Sequence, residues 1–223
     1  KHRSQRTYNV GYKVADELKE VKHNHPMLSL DKTKSVEELI EFAGDNNCFL
    51  SVKCDGLTTS LHYIDGVLVS AETRGNGVTG QDVFQNVLTM SNIPKKIPYK
   101  DELTIDGETI IGWDAFNKIN ENPRNLVSGS LQLLNSKEAA ERNMRFIAWR
   151  VIRGFKHESV FFDLKEAEKN GFDIVPMWTY SNNSSDKDNL HQMLENLRKQ
   201  ADDHNIPYAA FRICSSNSSM EIQ

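Results

Sequence analysis

The sequence lacks a long hydrophobic run, a metal-binding cysteine pattern and a strong excess of either charge. No apolar stretch approaches the roughly 18 residues of a membrane span, and no signal-peptide pattern opens the chain. The three cysteines, Cys48, Cys54 and Cys214, form no Cys-x-x-Cys pair, so they indicate no zinc site and favour a reducing compartment. We therefore expect a cytoplasmic protein that has no membrane contact and holds no metal through its own side chains.

The charge balance is also modest, because 27 Lys and Arg residues face 31 Asp and Glu residues and give a net charge of −4. Tight nucleic-acid binding usually needs a basic surface, and this composition offers little of one. The 223 residues are enough for one large domain with a substantial core. We expect a connector over residues 1–34, a single domain over 35–223 whose tail from 206 is least defined, and a monomer.

A β-hairpin is the clearest local signal in the chain. Two runs of β-forming residues, Thr59 to Ile64 and Val67 to Thr73, are joined by Asp65-Gly66. Asp-Gly between such runs is a strong hairpin signal. The segment KCDG (53–56) comes directly before this hairpin, and TRGNG (73–77) ends it. The hairpin should therefore bring a lysine, an aspartate and an arginine to one rim.

Lys53 in that rim is a candidate nucleophile. If the chain is extended here, Ser51, Lys53 and Asp55 share one face, because side chains alternate along a strand. A lysine attacks only when neutral, and at an ordinary pKa about 0.1 % of its amines are neutral near neutral pH. Arg74 would disfavour the protonated form and bind an anionic substrate. Taken alone, KxDG more often marks a surface lysine beside a turn aspartate.

Two further strands carry candidate site residues. Leu103 to Ile111 places Asp106 and Glu108 on one face. These acids indicate either a general acid/base pair or a solvent-facing edge strand, and the residues alone favour the edge. Trp149 lies on a second predicted strand, where a tryptophan more often belongs to the core than to a ligand platform.

The remaining elements follow from periodicity, caps and turn residues. They are a helix over Tyr12–Lys22, a helix from a Ser35 capping box to about Gly44, a short helix from Gly80, a strand over Asp173–Tyr180, a long helix over Asp186–His204, and a strand from Ile206 followed by Ser-rich sequence without clear order.

Four segments occur together in one order: HNHPMLSLDK, KCDG, TRGNG and NPRNLVSGSL. This combination resembles the adenylation (nucleotidyltransferase) domain of NAD-dependent DNA ligases over roughly residues 6 to 180. The resemblance implies an α+β nucleotidyltransferase fold, ATP-grasp-like, with antiparallel sheets flanked by helices and the nucleotide site between them.

The resemblance also implies a reaction and a set of site residues. Lys53 would attack the adenylyl phosphorus of NAD with Mg²⁺ present and release NMN, and AMP would then pass to a 5′-phosphate of nicked DNA. The catalytic residues would be Lys53 and Asp55, with no metal-ligand set. Binding of nicked DNA by this chain alone is expected to be weak. The nucleotide-binding residues would be Ser29 and Leu30 at the adenine, Ser51, Gly56, Arg74 and Arg124 at phosphate, Glu108 at the ribose, and Trp149 stacked on the adenine.

The chain departs from the family pattern at several positions. Ser51 and Gln81 replace glutamates, and Asp106 and Gln132 replace arginines. A late Asp-Gly-x-Val-x-Lys segment is replaced from position 209, and no lysine follows Lys199. Two other functions therefore remain open: an ATP-using polynucleotide ligase or capping-type enzyme, and a non-catalytic nucleotide- or DNA-end-binding relic. The segments PMLSL and NPRNLVSGSL argue against the ATP-using class.

Overall fold

The computed structural model describes residues 18–22, 31–75, 77–116, 122–157, 159–181, 183–214 and 219–222. The strands are β1 Glu20–Lys22, β2 Asp31–Thr33, β3 Asn47–Cys54, β4 Leu57–Ile64, β5 Val67–Thr73, β6 Thr79–Gln81, β7 Leu103–Ile110, β8 Arg145–Arg153, β9 Met177–Ser181, β10 Tyr208–Cys214 and β11 Ser219–Ile222. The helices are α1 Val36–Ala43, α2 Phe84–Val87, α3 Trp113–Phe116, α4 Pro123–Leu131, α5 Ser136–Ala140, α6 Val160–Lys169 and α7 Ser184–Asp203.

One sheet has five strands in the order β2-β11-β10-β3-β9. Its pairs are antiparallel except β11 with β2, which run parallel, so the expectation of purely antiparallel sheets is wrong at this one pair. Strand β3 lies inside this sheet, between β10 and β9. Its residues Leu50 and Val52 are buried, and helices α1 and α7 pack on the same sheet. This burial fixes the strand that carries Lys53.

The second large sheet has four strands in the order β5-β4-β7-β8, all antiparallel. The predicted hairpin is confirmed as β4 and β5. Its turn residues Asp65 and Gly66 have φ of 53° and 71°, the left-handed conformation that a tight two-residue hairpin requires. Helices α2, α4 and α6 pack on this sheet. A third sheet pairs only β1 with β6.

The two acids of β7 do not lie on an edge strand. β7 is hydrogen-bonded to β4 on one side and to β8 on the other. Asp106 is 2 % exposed and Glu108 is 8 % exposed. The interpretation of a solvent-facing edge is therefore wrong, because the strand order could not be read from this strand's own sequence.

Helix α1 begins as its cap predicted. The Ser35 side chain accepts a hydrogen bond from the Glu38 backbone N–H at 3.3 Å. The reciprocal half of the capping box is not formed, because the Ser35 N–H donates to the Thr33 hydroxyl at 3.0 Å. Glu38 instead accepts a hydrogen bond from the same Thr33 hydroxyl.

Some predicted elements are wrong in type or extent. Residues 20–22 form strand β1 rather than the end of a helix, and residues 12–17 lie outside the described residues. Residues 79–81 form β6, so the short helix begins only at Phe84. The strand predicted from Asp173 begins at Met177, and residues 219–222 form β11 where no order was expected. These short strands exist because of their partners, and single-strand patterns carry little signal of that kind.

Candidate active site

The two large sheets meet where β3 passes into β4. Gly56 connects them, and its backbone lies so close to β7 that an added Cβ would be 2.0 Å from the Thr109 carbonyl oxygen and 3.1 Å from Glu108 Cγ. Only glycine allows this approach without displacing backbone. The short connection places Lys53, at the end of β3, near Glu108 on the other sheet.

A cleft of about 650 Å³ opens at this junction. Four sequence-predicted residues line it together, namely Gly56, Arg74, Glu108 and Arg124. Asp55 is close to this group, because its Oδ1 lies 3.8 Å from Arg124 Nε. The cleft is therefore a polar space that holds two guanidinium groups and a carboxyl group, a combination suited to an anionic ligand with hydroxyl groups. Gln81 and Gln132, two of the departures from the family pattern, also line it.

Lys53 has a partner that the motifs did not indicate. Its Nζ lies 3.0 Å from Glu221 Oε2. The other oxygen of that carboxylate, Oε1, lies 3.6 Å from an Arg212 guanidinium nitrogen. Both partners belong to β10 and β11, a segment whose sequence showed no motif, so sequence reasoning missed them. Their only signal would have been charged residues alternating with apolar ones along two short strands.

Glu108 is the most perturbed acid of the cleft. Burial raises its pKa to about 7, although Arg124, Arg212, a hydrogen bond from Thr58 and Lys53 all act in the opposite direction. The Thr58 hydroxyl donates that hydrogen bond at 3.2 Å. The carboxyl group therefore changes its protonation near neutral pH, which makes it sensitive to any charged ligand that enters the cleft.

We predict that Glu108→Gln removes a pH-dependent loss of stability. The folded pKa of Glu108 lies above the model value of 4.5, so the folded state holds more protons between pH 4.5 and 7. This contribution is fully present below pH 4.5 and is lost as the pH rises through 7, by up to roughly 3 kcal/mol. Relative to the parent, Glu108→Gln should therefore be more stable at pH 8 than at pH 5 in urea unfolding.

Glu102→Gln is the matched control for this measurement. Glu102 is exposed and pairs with Arg153 at 2.6 Å, far along β7 and β8 from the cleft. Its difference from the parent should not change between the two pH values, because exposed ion pairs contribute little. A pH-independent difference for Glu108→Gln would contradict the raised pKa.

Trp149 and Ser51 lie around the same arginine. Arg212 Cζ is 5.1 Å from the centroid of the Trp149 ring, within the range of a cation–π contact. Ser51 is directly opposite Arg212 in the pairing of β3 with β10, and it is buried. Arg212 therefore covers one face of the indole, so the predicted stacking of adenine on Trp149 is limited to the other face.

Asp106, which replaces a family arginine, belongs to a buried polar row of the four-stranded sheet. It accepts a hydrogen bond from the Ser60 hydroxyl at 2.7 Å. Beside it, His62 Nδ1 is 3.1 Å from the Thr104 hydroxyl, and His62 Nε2 is 3.4 Å from Glu72. The structure thus accommodates the substitution with side-chain partners inside the sheet.

Some predicted residues cannot be placed. Ser29, Leu30 and Asn76 lie outside the described residues. Within the described part of the chain, no cluster of three or more His, Cys, Asp or Glu side chains is arranged to hold a metal ion. Over the same ranges, no helix is long and apolar enough to cross a membrane.

The fold defines the class of protein. A solved structure from Aquifex aeolicus, provisionally described as an ATP-dependent DNA ligase, superimposes with a TM-score of 0.54 and 10 % sequence identity. The match covers 88 % of this chain and 49 % of that one. At this identity the likeness shows the fold alone, which is the α+β nucleotidyltransferase fold of DNA ligases.

The sequence comparisons then give the family. The family model of the NAD-dependent DNA ligase adenylation domain matches residues 15–209. A DNA ligase of Lachnoclostridium phytofermentans is 44 % identical over 185 residues, and one of Ruminiclostridium cellulolyticum is 42 % identical over 183. These matches cover 76 % and 75 % of this chain, but only 28 % and 27 % of the relatives. The chain belongs to the NAD-dependent DNA ligase adenylation domain family and spans little more than a quarter of these relatives' length.

Proposed function

We propose that Lys53 takes AMP from NAD, here a substrate, and forms a covalent lysyl-AMP. The observation that supports this most is the position of Lys53 at the end of a buried strand, next to a cleft lined by Arg74, Arg124 and Glu108. Family membership supports NAD as the donor. A lysine in such a place has both a nucleophilic atom and a space where a phosphate can reach it.

The proposed step needs a neutral amine. The lone pair of Lys53 forms a bond to the adenylyl phosphorus, the P–O bond to NMN breaks, and NMN leaves with the electron pair. Arg74 and Arg124 stabilise the negative charge that develops on the phosphates, because cationic groups already in place need no reorganisation during the reaction. Asp55 orients Arg124 through their contact of 3.8 Å.

The described residues fit a dinucleotide in the cleft. Gly56 and Gly75 keep backbone close to the ligand space, since a Cβ on Gly75 would be 2.0 Å from the Thr79 carbonyl oxygen. The same residues do not form a complete metal cage. Mg²⁺ is usually held by substrate phosphates with one or two carboxylates, and Asp55 and Glu108 are the acids that would complete such a site. Its contribution would be charge neutralisation on the phosphates.

Sealing of nicked DNA belongs to the proposal for the whole protein. AMP would move from Lys53 to the 5′-phosphate at the nick, and the 3′-hydroxyl would then displace it. The net charge of −4 supports only weak DNA binding by this chain alone. We further propose that the chain is monomeric and cytoplasmic, in keeping with its sparse cysteines.

We predict that NAD is preferred to ATP as the adenylyl donor. The purified chain is incubated with Mg²⁺ and either donor, each radiolabelled in the adenylyl group, and protein-bound label is counted. Labelling by NAD is expected because the PMLSL and NPRNLVSGSL segments accompany KCDG. Label from ATP alone would favour an ATP-using ligase. A folded chain that takes label from neither donor would favour a non-catalytic relic.

A further inference from the structure

A buried acid lies beside the nucleophile. In the five-stranded sheet, Glu221 on β11 is opposite Arg212 on β10, and Arg212 is opposite Ser51 on β3. Lys53 is two residues beyond Ser51, so all four side chains project from the same face of the sheet. This register brings a carboxylate from β11 across an intervening strand to the Lys53 amine.

The carboxylate is enclosed between two cations. Glu221 is 3 % exposed. One of its oxygens is 3.0 Å from Lys53 Nζ, and the other is 3.6 Å from Arg212. A buried carboxylate keeps its charge when cations of this kind are its neighbours. Glu221 therefore acts as a fixed negative charge.

The contact with Lys53 has the geometry of an ion pair and not of an aligned hydrogen bond. Although the distance is 3.0 Å, Glu221 Oε2 has no hydrogen-bond partner of acceptable angle among the described residues. Proton transfer between two groups requires an aligned hydrogen bond or an intervening water. The geometry thus favours a counter-ion over a general base.

We propose that Glu221 is the counter-ion of Lys53 in the resting site, and that it holds the amine in its protonated, unreactive form. The inference rests on the proposed role of Lys53 as nucleophile. Glu221 is a positioning residue in this scheme, because it acts on the donor only through Lys53. It determines the pH range in which Lys53 accepts AMP.

The chemical consequence follows from charge. Before attack, the ammonium group of Lys53 must lose a proton to solvent, and an adjacent carboxylate opposes that loss. The neutral nitrogen then forms its bond to phosphorus as the P–O bond to NMN breaks, NMN leaves with the electron pair, and the remaining N–H proton goes to solvent. The same carboxylate also repels the incoming phosphates. Removing its charge should make both events easier.

The other charged groups near Lys53 come from four further elements. Glu108 on β7 and Arg212 on β10 face it, while Asp55 follows it directly in the chain and pairs with Arg124 on α4. Glu108 and Asp55 act in the same sense as Glu221, and the two arginines act against it. Glu221 has the shortest contact with the amine among the described residues.

The decisive experiment measures the Lys53 amine without using its proposed activity. The full chain and Glu221→Gln are treated with a trace of acetic anhydride at a series of pH values, and acetylation of the Lys53 peptide is quantified by mass spectrometry. Only the neutral amine reacts. We expect the pH of half-maximal labelling to fall by about one unit in Glu221→Gln, the lower end of the effect of an adjacent opposite charge. The control Glu102→Gln should leave it unchanged.

A second measurement follows lysyl-AMP formation from NAD against pH. The rising limb should move to lower pH by the same amount in Glu221→Gln, with a rate about tenfold higher on that limb. A merely structural role would lower the rate at every pH without moving the limb. If labelling shifts but no adduct forms in either protein, the counter-ion proposal stands and the proposed function fails.

The proposal is overturned if half-maximal labelling of a folded Glu221→Gln occurs at the parent's pH or above it. Should Glu221→Gln fail to fold, Glu221→Asp provides the same test. It keeps the charge but withdraws the carboxylate from Lys53 by one methylene. A smaller shift in the same direction is then expected, and no shift would reject the proposal.

Discussion

Lys53→Arg is expected to abolish the AMP adduct while leaving the fold intact. Guanidinium stays protonated at all usable pH values, so the arginine cannot attack phosphorus. The charge is retained, and a side chain that is 22 % exposed leaves room for the longer group beside Glu221. Intact-protein mass spectrometry after incubation with NAD and Mg²⁺ should show one AMP on the parent and none on the variant.

The control is Lys165→Arg on helix α6. Lys165 is exposed and pairs with Glu168 at 2.9 Å, so its replacement should leave the adduct unchanged. Peptide mapping of the parent should place the AMP on the peptide that contains Lys53. An adduct on another lysine, or equal adduct on Lys53→Arg, would refute Lys53 as the nucleophile.

Gly56→Ala is expected to give the second largest effect, on both stability and adenylation. The new methyl would lie 2.0 Å from the Thr109 carbonyl oxygen and 3.0 Å from its carbon, and backbone cannot rotate away as a side chain can. Overpacking of this kind costs about 1–3 kcal/mol. Relief requires β7 to move away from the end of β3, which separates Glu108 from Lys53. A shift of about 1 Å in a catalytic arrangement lowers rates on the order of 100-fold.

Gly129→Ala is the matched change at a permissive position. Gly129 lies in helix α4, and nothing stands within 4 Å of where its Cβ would be. Alanine there should raise the free energy of unfolding by roughly 0.5–1 kcal/mol through helix propensity, with no loss of adduct. Urea unfolding and the rate of adduct formation measure both variants. Full adenylation by Gly56→Ala would show that the close approach at Gly56 is not needed.

Local signals in the sequence were sufficient wherever neighbouring residues determine the structure. Asp65-Gly66 predicted the hairpin because its two left-handed residues suit a tight turn. Ser35 predicted the start of α1 because its side chain can accept from a backbone N–H three residues later. The strand carrying Lys53 followed from its β-forming residues. The short strands β1, β6 and β11 were missed, because each depends on a partner strand.

The sequence by itself determined the family, the fold class and the chemistry proposed for Lys53, because these depend on motifs whose order survives without coordinates. Only the tertiary structure decided the surroundings of the amine. It buried Glu108 inside a four-stranded sheet, which raises the pKa of that acid, and it brought Glu221 to 3.0 Å from Lys53 Nζ. Burial and long-range strand pairing are properties of the folded chain, and no local pattern in the sequence encodes them.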